Sequence, residues 1–129
     1  MELRILVVED SPVTRQMIRS IVQSRDWTIC GEAENGWAGI VKFKALRPDV
    51  VVLDFTMPGI NGIETARRMS MLDPEVPLIL FTILDEDELS RAAHAAGIYA
   101  TVSKMRTPDL VDAIESAASQ GSKPNQAAG

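Results

Sequence analysis

Short runs of β-branched and other apolar residues alternate five times with longer segments of helical period along this chain of 129 residues. This alternation is typical of a parallel sheet with helices on both faces. Three of the runs are almost wholly apolar, as strands that are buried on both faces must be. We therefore expect a doubly wound α/β fold with strands at 3–8, 28–32, 50–53, 78–81 and 99–103.

The helical segments begin with residues that cap helices. Ser11 and Thr107 each precede a proline, which is favoured at the first helical position. The segments 61–64 and 85–88 have the spacing of a capping box. Each helical segment carries one apolar stripe, and we interpret all five stripes as core.

Composition excludes several functional classes. The 13 basic and 18 acidic residues give a net charge of −5, which lacks the positive charge of a nucleic-acid binder. A single cysteine, Cys30, and a single histidine, His94, exclude an internal disulfide and a zinc cluster. No apolar stretch approaches the length of a membrane span. We expect a cytoplasmic domain that contacts neither nucleic acid nor membrane.

The sequence changes character near its C-terminus. We expect residues 1–120 to form the domain and residues 121–129 to be a flexible tail or linker. The last ten residues read Gln-Gly-Ser-Lys-Pro-Asn-Gln-Ala-Ala-Gly, which is linker composition. The segment could be a natural end or lead to a further domain.

Polar residues follow four of the predicted strands. Ligands bind at the carboxyl ends of the strands in open α/β sheets, and parallel strands bring these ends to one edge. The residues expected to meet there are Glu9, Asp10, Asp54, Thr82 and Lys104.

The acids at this edge favour a metal ion. Three carboxylates at ~5 Å repel each other by about 3 kcal/mol per pair at an effective dielectric near 20. One lysine cannot neutralise them, so the cluster favours a divalent cation, with Mg²⁺ the best fit and Mn²⁺ close behind. The alternative is that Glu9 and Asp10 only cap the following helix, and for either residue alone that alternative is favoured.

The combination suits phosphoryl transfer. An acid ends a buried strand at Asp54, a turn-rich loop follows it, and a hydroxyl and a lysine end two other strands. A nucleophile, a charge neutraliser and two anchors for phosphoryl oxygens are the parts needed to accept a phosphoryl group.

With these residues in order, the sequence resembles the receiver domain of two-component response regulators over about residues 3–120. The resemblance rests on the acidic pair, on the 54–62 stretch with its Met-Pro-Gly and Asn-Gly, and on Thr82 and Lys104. It implies a flavodoxin-like fold with strand order 2-1-3-4-5. It also implies that Asp54 accepts a phosphoryl group from a sensor histidine kinase, a phosphotransfer protein or a small phosphodonor.

The resemblance implies further roles. Glu9, Asp10, Asp54 and the backbone carbonyl of Thr56 would hold Mg²⁺. Lys104 would pair with Asp54 or its phosphoryl group, and Thr82 would bond a phosphoryl oxygen. The switched surface would comprise the fourth helix, the fifth strand and the fifth helix. This surface would control transcription or a protein partner, and it could form the contact of a homodimer.

Three positions differ from the family pattern. Thr101 stands where an aromatic residue is usual, and Tyr99, about 6.6 Å away at ~3.3 Å per residue, is expected on the same strand face as a substitute. Ile83 replaces a small residue after Thr82, which predicts slow phosphorylation by small donors and slow hydrolysis. Met105 replaces a proline that regulators with helix-turn-helix output often lack, which mildly favours such an output.

Two other functions remain open. A haloacid-dehalogenase-type phosphatase also uses an aspartate after a buried strand, but Thr56 stands where that class needs an acid. A receiver-like scaffold without phosphorylation is favoured by Thr101 and Ile83 and opposed by the complete polar set. We expect no enzymatic activity beyond assistance to its own phosphoryl transfer and dephosphorylation.

Overall fold

The computed structural model describes residues 2–84 and 86–119, in which five strands alternate with five helices. The predicted bounds of the first and third strands are confirmed. The second strand is one residue longer at each end, the fourth one residue longer at its C-terminal end, and the fifth begins one residue later. The predicted tail at 121–129 lies outside the described residues. The elements are β1 Leu3–Val8, α1 Pro12–Gln23, β2 Trp27–Ala33, α2 Gly36–Leu46, β3 Val50–Leu53, α3 Gly62–Leu72, β4 Leu78–Thr82, α4 Glu86–Ala95, β5 Ala100–Ser103 and α5 Thr107–Ser119.

All strand pairs are parallel, and the sheet order is β2-β1-β3-β4-β5, which confirms the expected topology. Hydrogen bonds continue the ladder past the strand ends. The Asp54 amide donates to the Val8 carbonyl at 3.1 Å, and the Glu9 amide donates to the Ala33 carbonyl at 2.9 Å. The sheet backbone therefore holds Asp54 and Glu9 side by side.

The sheet separates two apolar clusters. One cluster joins Leu6, Val8 and their neighbours to α2, α3 and α4. The other joins Ile5, Val7 and their neighbours to α1 and α5. Every residue of β3 and β4 is buried, and each fully buried aliphatic side chain contributes roughly 1.5–3 kcal/mol of transfer free energy. Both faces of the central strands are thus covered, as their composition predicts.

Three helices have side-chain caps at their N-termini. Ser11 Oγ accepts from the Thr14 amide at 3.3 Å, with Pro12 at the first helical position. Asn35 caps α2 and Asn61 caps α3, each accepting at 2.8 Å from the amide three residues on. The capping role suggested for Asp85 lies outside the described residues.

An Asn-Gly pair begins both α2 and α3, and each glycine is required by a close approach. A Cβ at Gly36 would lie 2.2 Å from Thr65 Oγ1. A Cβ at Gly62 would lie 2.0 Å from the carbonyl oxygen of Asp54. Helix α3 therefore starts directly against the backbone of Asp54, the residue that follows β3.

No helix in residues 2–84 and 86–119 combines the length and the apolar character that crossing a bilayer requires.

The two Asn-Gly starts give a matched stability test. We expect Gly36→Ala to lower the free energy of unfolding by about 1–3 kcal/mol, since its obstacles are side-chain atoms of Thr65 and Ile60 rather than backbone. Gly62→Ala should cost more than that range, because its obstacle is backbone. Urea denaturation of both variants measures the difference, and equal losses would contradict the close approach at Asp54.

Candidate functional site

The carboxyl ends of β1 and β3 bring three acids together. One carboxylate oxygen from each of Glu9, Asp10 and Asp54 lies within 4.8 Å of the other two. Glu9 is 2% and Asp54 7% exposed, whereas Asp10 is exposed. The predicted convergence of the acids is therefore present, with two of them buried and one open to solvent.

Lys104, at the end of β5, reaches across to two of these acids. Its Nζ lies 3.0 Å from Glu9 Oε1 and 3.1 Å from Asp54 Oδ2. The lysine side chain is itself only 11% exposed. Because charges attract more strongly away from water, this lysine offsets much of the repulsion between the two buried carboxylates.

Backbone amides hold the remaining carboxylate oxygens. Asp54 Oδ1 accepts from the Phe55 amide at 2.7 Å, and Glu9 Oε2 accepts from the Ser11 amide at 3.1 Å. With one oxygen bound to an amide and the other to the lysine, each buried carboxylate has a fixed orientation.

Burial raises the pKa of Glu9 above its ordinary value. The Ser11 amide and Lys104 oppose this shift, and the nearby charge of Asp54 adds to it. A raised pKa means that the folded environment disfavours the ionised carboxylate. A bound cation would act in the opposite direction, since it stabilises that ionised form.

The donor set fits a hard divalent cation. Oxygen ligands about 2.1 Å from Mg²⁺ lie roughly 3.0 Å apart at adjacent positions and roughly 4.2 Å apart at opposite ones. The three carboxylate oxygens lie within 4.8 Å of one another, which allows a slightly wider spacing than direct coordination by one ion. A small inward movement of the side chains would let a single ion contact all three carboxylates directly. Alternatively, the ion could contact two of them directly and the third through a water molecule.

Thr82 and Lys104 end neighbouring strands and are joined through the backbone. The Lys104 amide donates to the Thr82 carbonyl at 2.9 Å. Thr82 is fully buried, and its Oγ1 accepts from the Leu84 amide at 3.3 Å. The hydroxyl thus binds its own loop in this structure. Thr56 lies exposed in the loop between Asp54 and α3.

The structure separates Tyr99 from the face on which it was expected. β5 begins at Ala100, and the Tyr99 hydroxyl oxygen lies 2.6 Å from Ser116 Oγ on α5. Thr101 pairs with Leu80, whose side chain belongs to the cluster beneath α2, α3 and α4. The expectation of a shared face is wrong, because Tyr99 precedes the strand and packs with the α1 and α5 cluster.

Sequence reasoning missed Arg15, on α1. Its Nη1 donates to the carbonyl oxygen of Glu9 at 2.8 Å and to that of Asp10 at 3.3 Å. A basic residue in the second turn of a helix that begins just after an acidic pair is the signal that could have identified it.

Three apolar side chains, two of them at positions that differ from the family pattern, are exposed in the loops beside the site. Ile83 is 70%, Leu84 40% and Met105 81% exposed. Ile83 and Leu84 directly follow Thr82, and Met105 directly follows Lys104. The loops that carry the hydroxyl and the lysine therefore present apolar side chains to solvent.

A five-stranded parallel sheet of this order, with acids and a lysine at its carboxyl edge, defines a flavodoxin-like α/β domain with an acidic site at that edge. Residues 5–115 match the family described as the response regulator receiver domain, and the chain belongs to this family. The family and fold expected from the sequence are thus confirmed.

Individual relatives agree with this assignment. The chain is 32% identical over 108 residues to the chemotaxis protein CheY of Thermotoga maritima, covering 84% of this chain and 90% of that protein. A LuxR-family two-component response regulator from Aurantimonas sp. superposes with a TM-score of 0.84 at 30% identity, covering 90% and 84% of the two chains. The response regulator TrrA of Thermotoga maritima, solved in complex with Mg²⁺-BeF, superposes with a TM-score of 0.81 at 28% identity, covering 89% and 98%.

The lysine bridge gives a stability prediction. In metal-free buffer, Lys104→Met should lower the free energy of unfolding by about 3–5 kcal/mol, because it leaves Glu9 and Asp54 buried without their cation. The loss should shrink as the pH falls, since protonation of Glu9, whose pKa is already raised, removes the unpaired charge.

Urea titrations in the presence of a chelator, at neutral pH and at pH 5, measure this effect. Lys44→Met, on the exposed surface of α2, is the matched control and should change stability by less than about 0.5 kcal/mol. Similar losses for the two variants would contradict a stabilising bridge.

Proposed function

We propose that this receiver domain is a switch in which Asp54 accepts a phosphoryl group from a histidine kinase or a phosphotransfer protein. Glu9, Asp10, Asp54 and the backbone carbonyl of Thr56 would hold the Mg²⁺ that the reaction needs, and Mn²⁺ could replace it. The observation that carries the proposal is the convergence of three carboxylates and Lys104 on the buried end of β3.

The residues present can perform the transfer. A carboxylate oxygen of Asp54 attacks the phosphorus of the donor, and the bond from phosphorus to the donor nitrogen breaks with its electron pair on that nitrogen. The Phe55 amide and Lys104 orient the attacking carboxylate. Mg²⁺, when bound, supplies positive charge to the phosphoryl oxygens, and Lys104, which follows β5, supplies more.

The switch would turn the Thr82 hydroxyl toward the phosphoryl group. Its Oγ1 now accepts from the Leu84 amide, and after the turn it would donate its hydroxyl proton to a phosphoryl oxygen, which is a charged acceptor. Thr82 would give up its loop contact, and the loop that leads into α4 would follow. Because the Lys104 amide is bonded to the Thr82 carbonyl, β5 would respond together with β4.

The switched surface would therefore comprise α4, β5 and α5. Thr101 on β5, and Tyr99 through its contact with Ser116 on α5, are the residues we assign to this response. A domain with a net charge of −5 would act on transcription through another protein or segment rather than by touching DNA. The same surface could instead bind a protein target or form the contact of a homodimer.

Intact mass measurement tests the acceptor. Incubation with acetyl phosphate and Mg²⁺ should add one phosphoryl group to the wild-type protein and none to Asp54→Asn, because the amide is a poor nucleophile. A chelator should also abolish the adduct. Asp112→Asn, an exposed acid on α5, is the matched control and should be phosphorylated like the wild type.

An adduct that survives Asp54→Asn would place the acceptor elsewhere. No adduct on the wild type, with small donors or with a cognate kinase, would favour a scaffold that binds partners without phosphorylation.

Ile83 gives a prediction about reaction rates. Its side chain follows Thr82 and extends from the loop beside the site, so it should slow the approach of a small phosphodonor or of water to Asp54. Ile83→Ala should therefore raise both the rate of phosphorylation by acetyl phosphate and the rate of dephosphorylation. Equal rates for variant and wild type would contradict steric control, and Met105→Ala, at the neighbouring loop, is the control.

A further inference from the structure

Arg15 connects α1 to the loop that carries two of the three acids. Its side chain is only 13% exposed, and one nitrogen, Nη1, donates to the carbonyl oxygens of both Glu9 and Asp10 at 2.8 and 3.3 Å. The guanidinium is therefore largely buried and bonded to two neighbouring backbone carbonyls of one loop, and such charge-assisted hydrogen bonds are stronger than neutral ones.

Glu32, on β2, fixes the guanidinium from the other side. Arg15 Nε lies 3.4 Å from Glu32 Oε1. Arg19 Nε and Nη2 donate to the two oxygens of the same carboxylate at 2.6 and 2.7 Å. Arg19 holds the pKa of Glu32 below its ordinary value, so Glu32 stays ionised at neutral pH. Glu32 therefore neutralises the charge of Arg15 locally, and the bidentate Arg19–Glu32 pair holds the Glu32 carboxylate in place.

The contacts of Arg15 restrain the loop between β1 and α1 at Asp10. Only three residues separate β1 from α1, and they include Glu9 and Asp10. Glu9 is already fixed through its amide, through the Ser11 amide and through Lys104. Asp10 is exposed, and the described part of the chain shows no side-chain hydrogen bond or ion pair for it. Holding the carbonyls of both acids fixes the peptide planes on either side of Asp10, and with them the direction of its side chain.

We propose that Arg15 is a positioning residue for the cation site, which sets Mg²⁺ affinity by directing Asp10 toward Glu9 and Asp54. The inference rests on the proposed function, because it concerns the same cation. Partners that orient metal ligands without touching the metal commonly change affinity by roughly 10–100-fold when removed.

The direction in which Mg²⁺ affinity changes when Arg15 is removed distinguishes a positioning role from an effect of its charge. Arg15 is a cation near the site, so by Coulomb's law alone its removal would strengthen Mg²⁺ binding. If Arg15 acts by orienting the loop, its removal weakens binding although a positive charge has been lost. The two explanations predict opposite changes in the dissociation constant.

Calorimetric titration of the full chain with MgCl₂, at constant ionic strength, tests this. Arg15→Met should raise the dissociation constant about 10-fold or more. Arg15→Lys, which keeps the charge and one donor group, should fall between Arg15→Met and the wild type. Arg25→Met is the matched control, since it also removes one positive charge, and Arg25 binds Glu115 and donates to neither loop carbonyl. It should change the constant by less than about twofold.

A kinetic readout distinguishes positioning from general loss of structure. With acetyl phosphate as donor, Arg15→Met should need more Mg²⁺ for half-maximal rate and reach the wild-type rate at saturating Mg²⁺. Should Arg15→Met fail to fold, weaker Mg²⁺ binding by folded Arg15→Lys carries the same support.

The outcomes are separable. A variant without Arg15 that binds Mg²⁺ as tightly as the wild type, or more tightly, would overturn the role of Arg15 alone. Absence of Mg²⁺ binding by the wild-type protein would overturn this inference together with the proposed cation site.

Discussion

The contact of Lys104 with Glu9 and Asp54 is the interaction on which the site depends. It joins the ends of three parallel strands, and it places one ammonium between two carboxylates that would otherwise repel each other away from water. The interaction requires the strand order found here, because β3 must lie between β1 and the β4-β5 pair. The carboxylate orientations and the position of Thr82, which is bonded through its carbonyl to the Lys104 amide, both follow from that arrangement.

Much of this could be predicted from the sequence. The apolar runs and helical stripes predict the elements, because burial on both sheet faces requires that periodicity. The convergence of Asp54 with the acidic pair follows from parallel topology alone. The resemblance added the strand order, and the comparisons confirm the family.

Other features could not be predicted because they depend on contacts between segments that periodicity does not relate. The place of Arg15 after the acidic pair is a signal in the sequence, but the sequence does not show that its guanidinium binds the backbone carbonyls of Glu9 and Asp10. Tyr99 was placed on the wrong face because alternation applies only inside a strand, and β5 begins one residue later. The close approach of Gly62 to the Asp54 carbonyl is likewise visible only in the fold.

The Asn-Gly pairs that begin α2 and α3 also bear on the chemical ageing of the protein. In a flexible chain the glycine nitrogen of such a pair can attack the asparagine side chain, and the resulting succinimide opens to aspartate or isoaspartate. At α3 both reacting groups are engaged, since the Gly62 amide donates to the Phe55 carbonyl at 2.8 Å and Asn61 Oδ1 accepts from Glu64. The geometry that seats this helix against Asp54 thereby shields its first residues from deamidation, and loss of the fold would expose them to it.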